Sequence, residues 1–158
     1  MKLLLLFLLA SVQLSMAGEL VFAEADRADL LQAVKHARML TTNREIPPEV
    51  IRACREETRD DFALANPDED FQWSDARSSG LGARPIRRLV WGARVANFCI
   101  IHYQKGGFAP RYVVVVTSIV KSNAEARVLW SEYTKKMSFE DFVSALKQRQ
   151  LKQGDARL

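Results

Sequence analysis

The sequence predicts an α+β fold: two N-terminal helices, an antiparallel β-meander of four or five strands, and a C-terminal helix packed on the sheet. Three observations predict it. Apolar residues recur at intervals of three and four between Ala25 and Leu40 and again after Pro48, which is the helical period. After Pro85 the chain passes into runs rich in Val, Ile, Trp, Tyr and Phe, and the connectors between them are short enough for antiparallel neighbours. The last segment opens on Ser138-Phe139-Glu140-Asp141, where the Ser hydroxyl can accept from a free N–H of the first turn and Asp141 can reach back.

Taken in order, Met1-Lys2 is a short basic start, Leu3 to Leu14 is almost unbroken apolar sequence, and Ser15 and Ala17 place small residues where a signal peptidase reads. An apolar run of about twelve residues is short of the roughly 20 that span hydrocarbon. Residues 1–17 are therefore expected to be a signal peptide, residues 18–158 a single domain without a transmembrane segment, and the location periplasmic or secreted. Leu30, Ala33, Val34, Ala37 and Leu40 then mark one side of a first helix. Pro47-Pro48 starts a second, because a first-turn N–H has no partner to lose, and Val50, Ile51, Ala53 and Cys54 form its apolar stripe up to about Arg59.

Residues 60–85 carry the acidic turn Asn66 to Asp70, one short candidate strand from Phe71 to Asp75, and Gly- and Ser-rich sequence. Strands follow at Arg87 to Ala93, Phe98 to Gln104, Tyr112 to Val120 and Ala126 to Thr134. In the two middle runs both alternate sets are apolar: Phe98 and Ile100 against Cys99 and Ile101, Val114 and Val116 against Val113 and Val115. Both faces of such a sheet need cover. Three helices suffice for that, the terminal one on one side and the first two on the other; an open apolar groove is the alternative.

Charge is unevenly placed. Residues 18–76 hold seven bases and fourteen acids, a net of −7, whereas residues 77–158 hold fifteen bases and five acids, a net of +10. Between Asp75 and Glu125 there is no acid at all. Either the two halves neutralise each other, or the acid-free stretch forms a basic surface for an anionic partner, with Arg87, Arg94, Lys105 and Arg111 as its candidate binding residues. Such a surface would extend along a sheet face or edge for about 20 Å or more.

The chemistry-bearing residues are few. Cys54 and Cys99 are the only cysteines, and in an exported chain a disulfide between them would close a loop of about 46 residues, worth about 4 kcal/mol in the chain-entropy model; two buried thiols are the alternative. Cys99 and His102 sit an odd number of residues apart on one strand, so they face opposite sides and cannot act as nucleophile and base. No metal or other cofactor is expected, because two Cys and two His lack ligand spacing and the Asn66 turn has Phe71 where a calcium loop needs Gly.

The aromatics Trp73, Trp91, Trp130, Tyr103, Tyr112 and Tyr133 read as sheet formers, and no nucleic-acid partner is expected of an exported chain. The function these residues fit is non-enzymatic binding of a protein or an anionic envelope component. An envelope hydrolase using carboxylates of the acidic segment and an inhibitor of a secreted enzyme remain alternatives.

Overall fold

A sheet whose two faces are both apolar organises the molecule. The computed structural model describes residues 22–74, 84–120 and 122–148. In chain order its elements are α1 (Glu24–Ala33), β1 (Arg38–Leu40), α2 (Pro48–Thr58), β2 (Leu64–Ala65), β3 (Arg87–Val95), β4 (Phe98–Lys105), β5 (Arg111–Val120), β6 (Glu125–Thr134) and α3 (Phe139–Lys147), with 3-10 turns at Val34–His36 and Asn43–Glu45. The signal peptide expected over residues 1–17 lies outside the described residues. Among the described residues no helix is long and apolar enough to cross a membrane.

The four long strands form the expected antiparallel meander, within two residues of the predicted bounds. The sheet nevertheless has six strands rather than four or five: β1 pairs antiparallel with β3, and β2 pairs parallel with the first residues of β3. The first helix also stops earlier than its apolar period suggested. Helical geometry tightens at Val34, ends by Ala37, and Leu40 enters the core as a strand residue opposite Gly92, whose missing side chain makes room for it. Residues 71–74 are irregular rather than a strand.

Both faces are covered by helices as expected, α2 on one and α3 on the other, but α1 lies on the opposite side from the one expected. On one face α2 buries Val50 and Cys54 against Cys99, Ile101, Tyr103, Val113 and Val115. On the other, α1 and α3 together bury Leu30, Phe142 and Leu146 against Ile100, Val114, Val116 and Trp130. The first helix thus joins the last instead of the second. At α3 the predicted capping box is present: Ser138 Oγ accepts from the Asp141 N–H at 3.0 Å, and Asp141 accepts from the Ser138 N–H at 3.1 Å.

Cys54 and Cys99 lie in the same cluster beneath α2, and both are free thiols, so the disulfide considered from the sequence is not formed. Sharing a cluster is not enough, since a bridge requires the Cβ atoms to come within about 3.5–4.5 Å at a fixed dihedral. Burial raises both thiols above their ordinary range, Cys99 to about 12, which keeps them protonated and unreactive.

Candidate functional site

Register brings three of the four candidate bases together. Arg87 in β3 lies opposite Lys105 in β4, and Lys105 lies opposite Arg111 in β5, so the three form one row across the end of the sheet, on the face that carries α2. Arg94 does not join them. It lies at the other end of β3, paired with Arg38 of β1 on one side and Cys99 on the other. The surface expected to run along the sheet is therefore interrupted, because α2 occupies the face between its two ends.

Arg87 also differs from expectation in being buried: only 1% of it is exposed, so it presents no charge to a macromolecular partner. The turn after α2 explains this. Arg59 ends that helix in the left-handed region (φ 57°), and Phe62 takes φ 43°, a conformation that bulky side chains rarely adopt. Between them Asp60 is held over the sheet end. Its Oδ1 accepts from the Thr58 hydroxyl and the Phe62 N–H, each at 2.8 Å, and its Oδ2 accepts from Arg87 Nη2 at 2.7 Å. Partial burial pushes the Asp60 carboxyl up, but these hydrogen bonds and the Arg87 charge outweigh it, and the group titrates below its ordinary value.

The Arg87 guanidinium lies 4.8 Å from the Phe62 ring centroid, and Phe62 meets Tyr103 edge-on at 5.5 Å. Only one of its nitrogens makes a close hydrogen bond. Arg87 Nε and Nη1 are buried without a close hydrogen-bond partner among the described residues, and the Tyr103 hydroxyl lies beside the guanidinium, near enough to interact with it but without a close partner of its own. Unsatisfied donors of this kind are uncommon in folded interiors, and two on one guanidinium call for an explanation.

Toward the surface the row continues into a hollow of about 230 Å³ lined by Lys105, Phe108, Arg111 and Tyr133 among others. Arg111 stacks over the Tyr133 ring at 4.8 Å. Lys105 is half-buried, and its ammonium is pushed below the ordinary range, first by burial and then by repulsion from Arg87, with Asp60 opposing. Lys135 follows β6 at the same end of the sheet.

Other candidate groups have structural explanations. Glu69, in the acidic turn, accepts from the Asn66 N–H and side-chain amide, which holds it below the usual carboxylate range. Glu45 is lowered in the same way by the Thr41 and Thr42 N–H groups and the Thr41 hydroxyl. His102 faces away from Cys99. Its Nδ1 bonds the Val113 carbonyl at 3.0 Å, its Nε2 accepts from the Met137 N–H at 3.4 Å, and its ring lies between Trp91 and Tyr112.

The sequence signals for Lys105 and Arg111 were their places on either side of the Gly106-Gly107 connector. Asp60, Phe62 and Tyr103 were missed, since nothing local links residues so far apart. Comparison with known proteins gives no match: no family model fits the sequence, and no curated protein or solved structure is significantly similar to the chain.

Proposed function

We propose that the protein is an exported, non-enzymatic binding protein that engages an anionic envelope or extracellular partner through the Arg87–Lys105–Arg111 end of its sheet. The observation that carries this reading is the alignment of the three bases in one transverse row, with the outer two at the surface and the inner one buried. Asp60 offsets one charge of the row, so a positive excess remains at Lys105 and Arg111.

The hydrolase alternative draws no support from Asp60, Glu45 or Glu69. Their oxygens are taken up by backbone and side-chain donors that favour the ionised form, the opposite of what a general acid needs. Retention on a heparin-like or phosphate-bearing matrix tests the binding reading. Retention at low salt that falls steeply as salt rises and drops in the double variant Lys105→Ala/Arg111→Ala is expected; absence of retention at low salt would overturn it.

A further inference from the structure

Beyond the basic row the same end of the sheet carries a cluster of projecting apolar side chains. Three segments meet there through backbone hydrogen bonds. The Gln72 N–H donates to the Pro85 carbonyl at 2.8 Å, the Gly106 N–H to the Ile86 carbonyl at 2.8 Å, and the Gly107 N–H to the Trp73 carbonyl at 3.2 Å. Gly106 is required for this approach: an added Cβ would overlap the Gln72 carbonyl oxygen and lie 2.7 Å from the Trp73 Cα. The strap at 71–74 turns Phe71 inward, where the Arg88 guanidinium covers its ring at 4.5 Å, and leaves Trp73 outside.

Phe108 is 96% exposed and Trp73 65%. Of the six large hydrophobic residues exposed among the described residues, four lie at this end: Trp73, Ile86, Phe108 and Tyr133. Single exposed apolar residues need no explanation, but a group contributed by three contacting segments does.

We propose that this end of the molecule docks on an anionic lipid bilayer, with Trp73 and Phe108 entering the headgroup region and Lys105 and Arg111 meeting the lipid phosphates. The proposal rests on the anion-binding reading above and assigns that partner to a membrane surface. Two features favour lipid over a soluble polyanion or a folded protein. Phe108 stands almost wholly clear of the fold, so it has no walls to complement a rigid partner, whereas a fluid interface adapts to a projecting ring. Trp is the side chain best suited to the headgroup level, where its ring is buried and its N–H stays hydrated. The flanking charge fits as well. Lys105 and Arg111 are free of acidic partners among the described residues, while Arg84 is shared with Asp70 at 3.3 Å and Arg87 with Asp60. Anionic lipid attracts such bases within roughly one Debye length, about 8 Å at physiological salt, and the aromatic side chains then hold the contact when salt screens the charges.

The test compares the full chain with its Trp73→Ser/Phe108→Ser variant on two probes: vesicles of phosphatidylcholine with phosphatidylglycerol, and a heparin-like polysaccharide. Both proteins share the same N-terminus, so a difference between them reports residues 73 and 108. The expected result is vesicle affinity at least about tenfold weaker in the variant with polysaccharide affinity unchanged, because both side chains are exposed and neither pairs with the anion. On the parent chain, vesicles containing bromolipid should quench tryptophan emission, and the quenching should fall in Trp73→Phe, since Trp130 is buried and Trp91 lies under α3. Equal vesicle affinity for parent and variant, with no bromolipid quenching and polysaccharide binding retained, would overturn the membrane assignment and leave the anion-binding reading standing. Absence of binding to either probe would overturn both.

Discussion

The two faces of the sheet each bury a polar cluster, and the clusters are finished differently. Under α3, Trp91 donates its indole N–H to the Met137 carbonyl at 2.8 Å and both ring nitrogens of His102 are engaged, and only Thr134 Oγ1, opposite Tyr112 on the same face, lacks a partner among the described residues. Under the turn that follows α2, Arg87 makes one close hydrogen bond, through Nη2, the Tyr103 hydroxyl has only the guanidinium beside it, and a neighbouring residue of that turn sits in the left-handed region. Unpaired donors beside a row of surface bases are what the proposed anion-binding end would draw on, whereas the α3 face offers no comparable row.

Breaking the Asp60–Arg87 pair should have the largest effect. In Asp60→Asn the buried guanidinium loses its counter-charge, and a cost of about 3 kcal/mol is expected, at the low end of the usual range because Asp60 is partly exposed. Chemical denaturation measures it. The double variant Asp60→Asn/Arg87→Met should recover much of the loss, since the penalty lies in the unpaired charge. The pair also sets an acid limit. Because the Asp60 carboxyl is lowered on folding, its contribution is intact above the ordinary value of 3.8 and is lost as pH falls from there through the folded value.

His102 has the same sign on the other face, by the opposite charge logic. Burial first, and repulsion from Lys136, hold the imidazole below its ordinary value of 6.5 against the Val113 hydrogen bond, so the native ring is neutral. The unfolded chain therefore binds the proton more readily. Stability should be flat above about pH 6.5 and fall as pH drops below it, and thermal midpoints across pH 5–8 should lose that slope in His102→Phe.

Smaller effects separate the clusters most cleanly. Trp91→Phe removes a made hydrogen bond and some packing, and leaves the Met137 carbonyl without that donor, for an expected loss of about 1–2 kcal/mol. Tyr103→Phe removes a hydroxyl with no close partner beyond the neighbouring Arg87 guanidinium, so the loss of stability should be clearly smaller than in Trp91→Phe. If Tyr103→Phe costs as much as Trp91→Phe, both clusters are ordinary core and the contrast between them fails. Thiol counting should find Cys54 and Cys99 inert in the native protein and both reactive after unfolding without reductant.

The long strands and α3 were legible because their signals are local: runs of eight to ten residues carrying β-branched and aromatic side chains between short connectors, and a Ser138/Asp141 pair at capping distance. β1 and β2 were not, since two or three residues carry no usable period. Leu40, moreover, lies three after Ala37 and so imitates a continuing helix. Within the site, Lys105 and Arg111 were legible from the Gly106-Gly107 turn they flank. The burial of Arg87 was not, because it depends on Asp60, 27 residues earlier, being aimed by a left-handed turn that composition does not reveal. Trp73 was read as a sheet former alongside the buried aromatics; its exposure follows from the strap that Gly106 admits, a contact between segments far apart in sequence.

The separation of Arg94 from the other three bases provides the most direct test. Affinity for a heparin-like polyanion, measured over a series of salt concentrations, should be close to the parent value in Arg94→Ala. In Lys105→Ala/Arg111→Ala it should be weaker with a shallower salt dependence, since fewer ion contacts are then made. Equal losses in the two variants, or none in either, would contradict the assignment of anion binding to the Arg87–Lys105–Arg111 end.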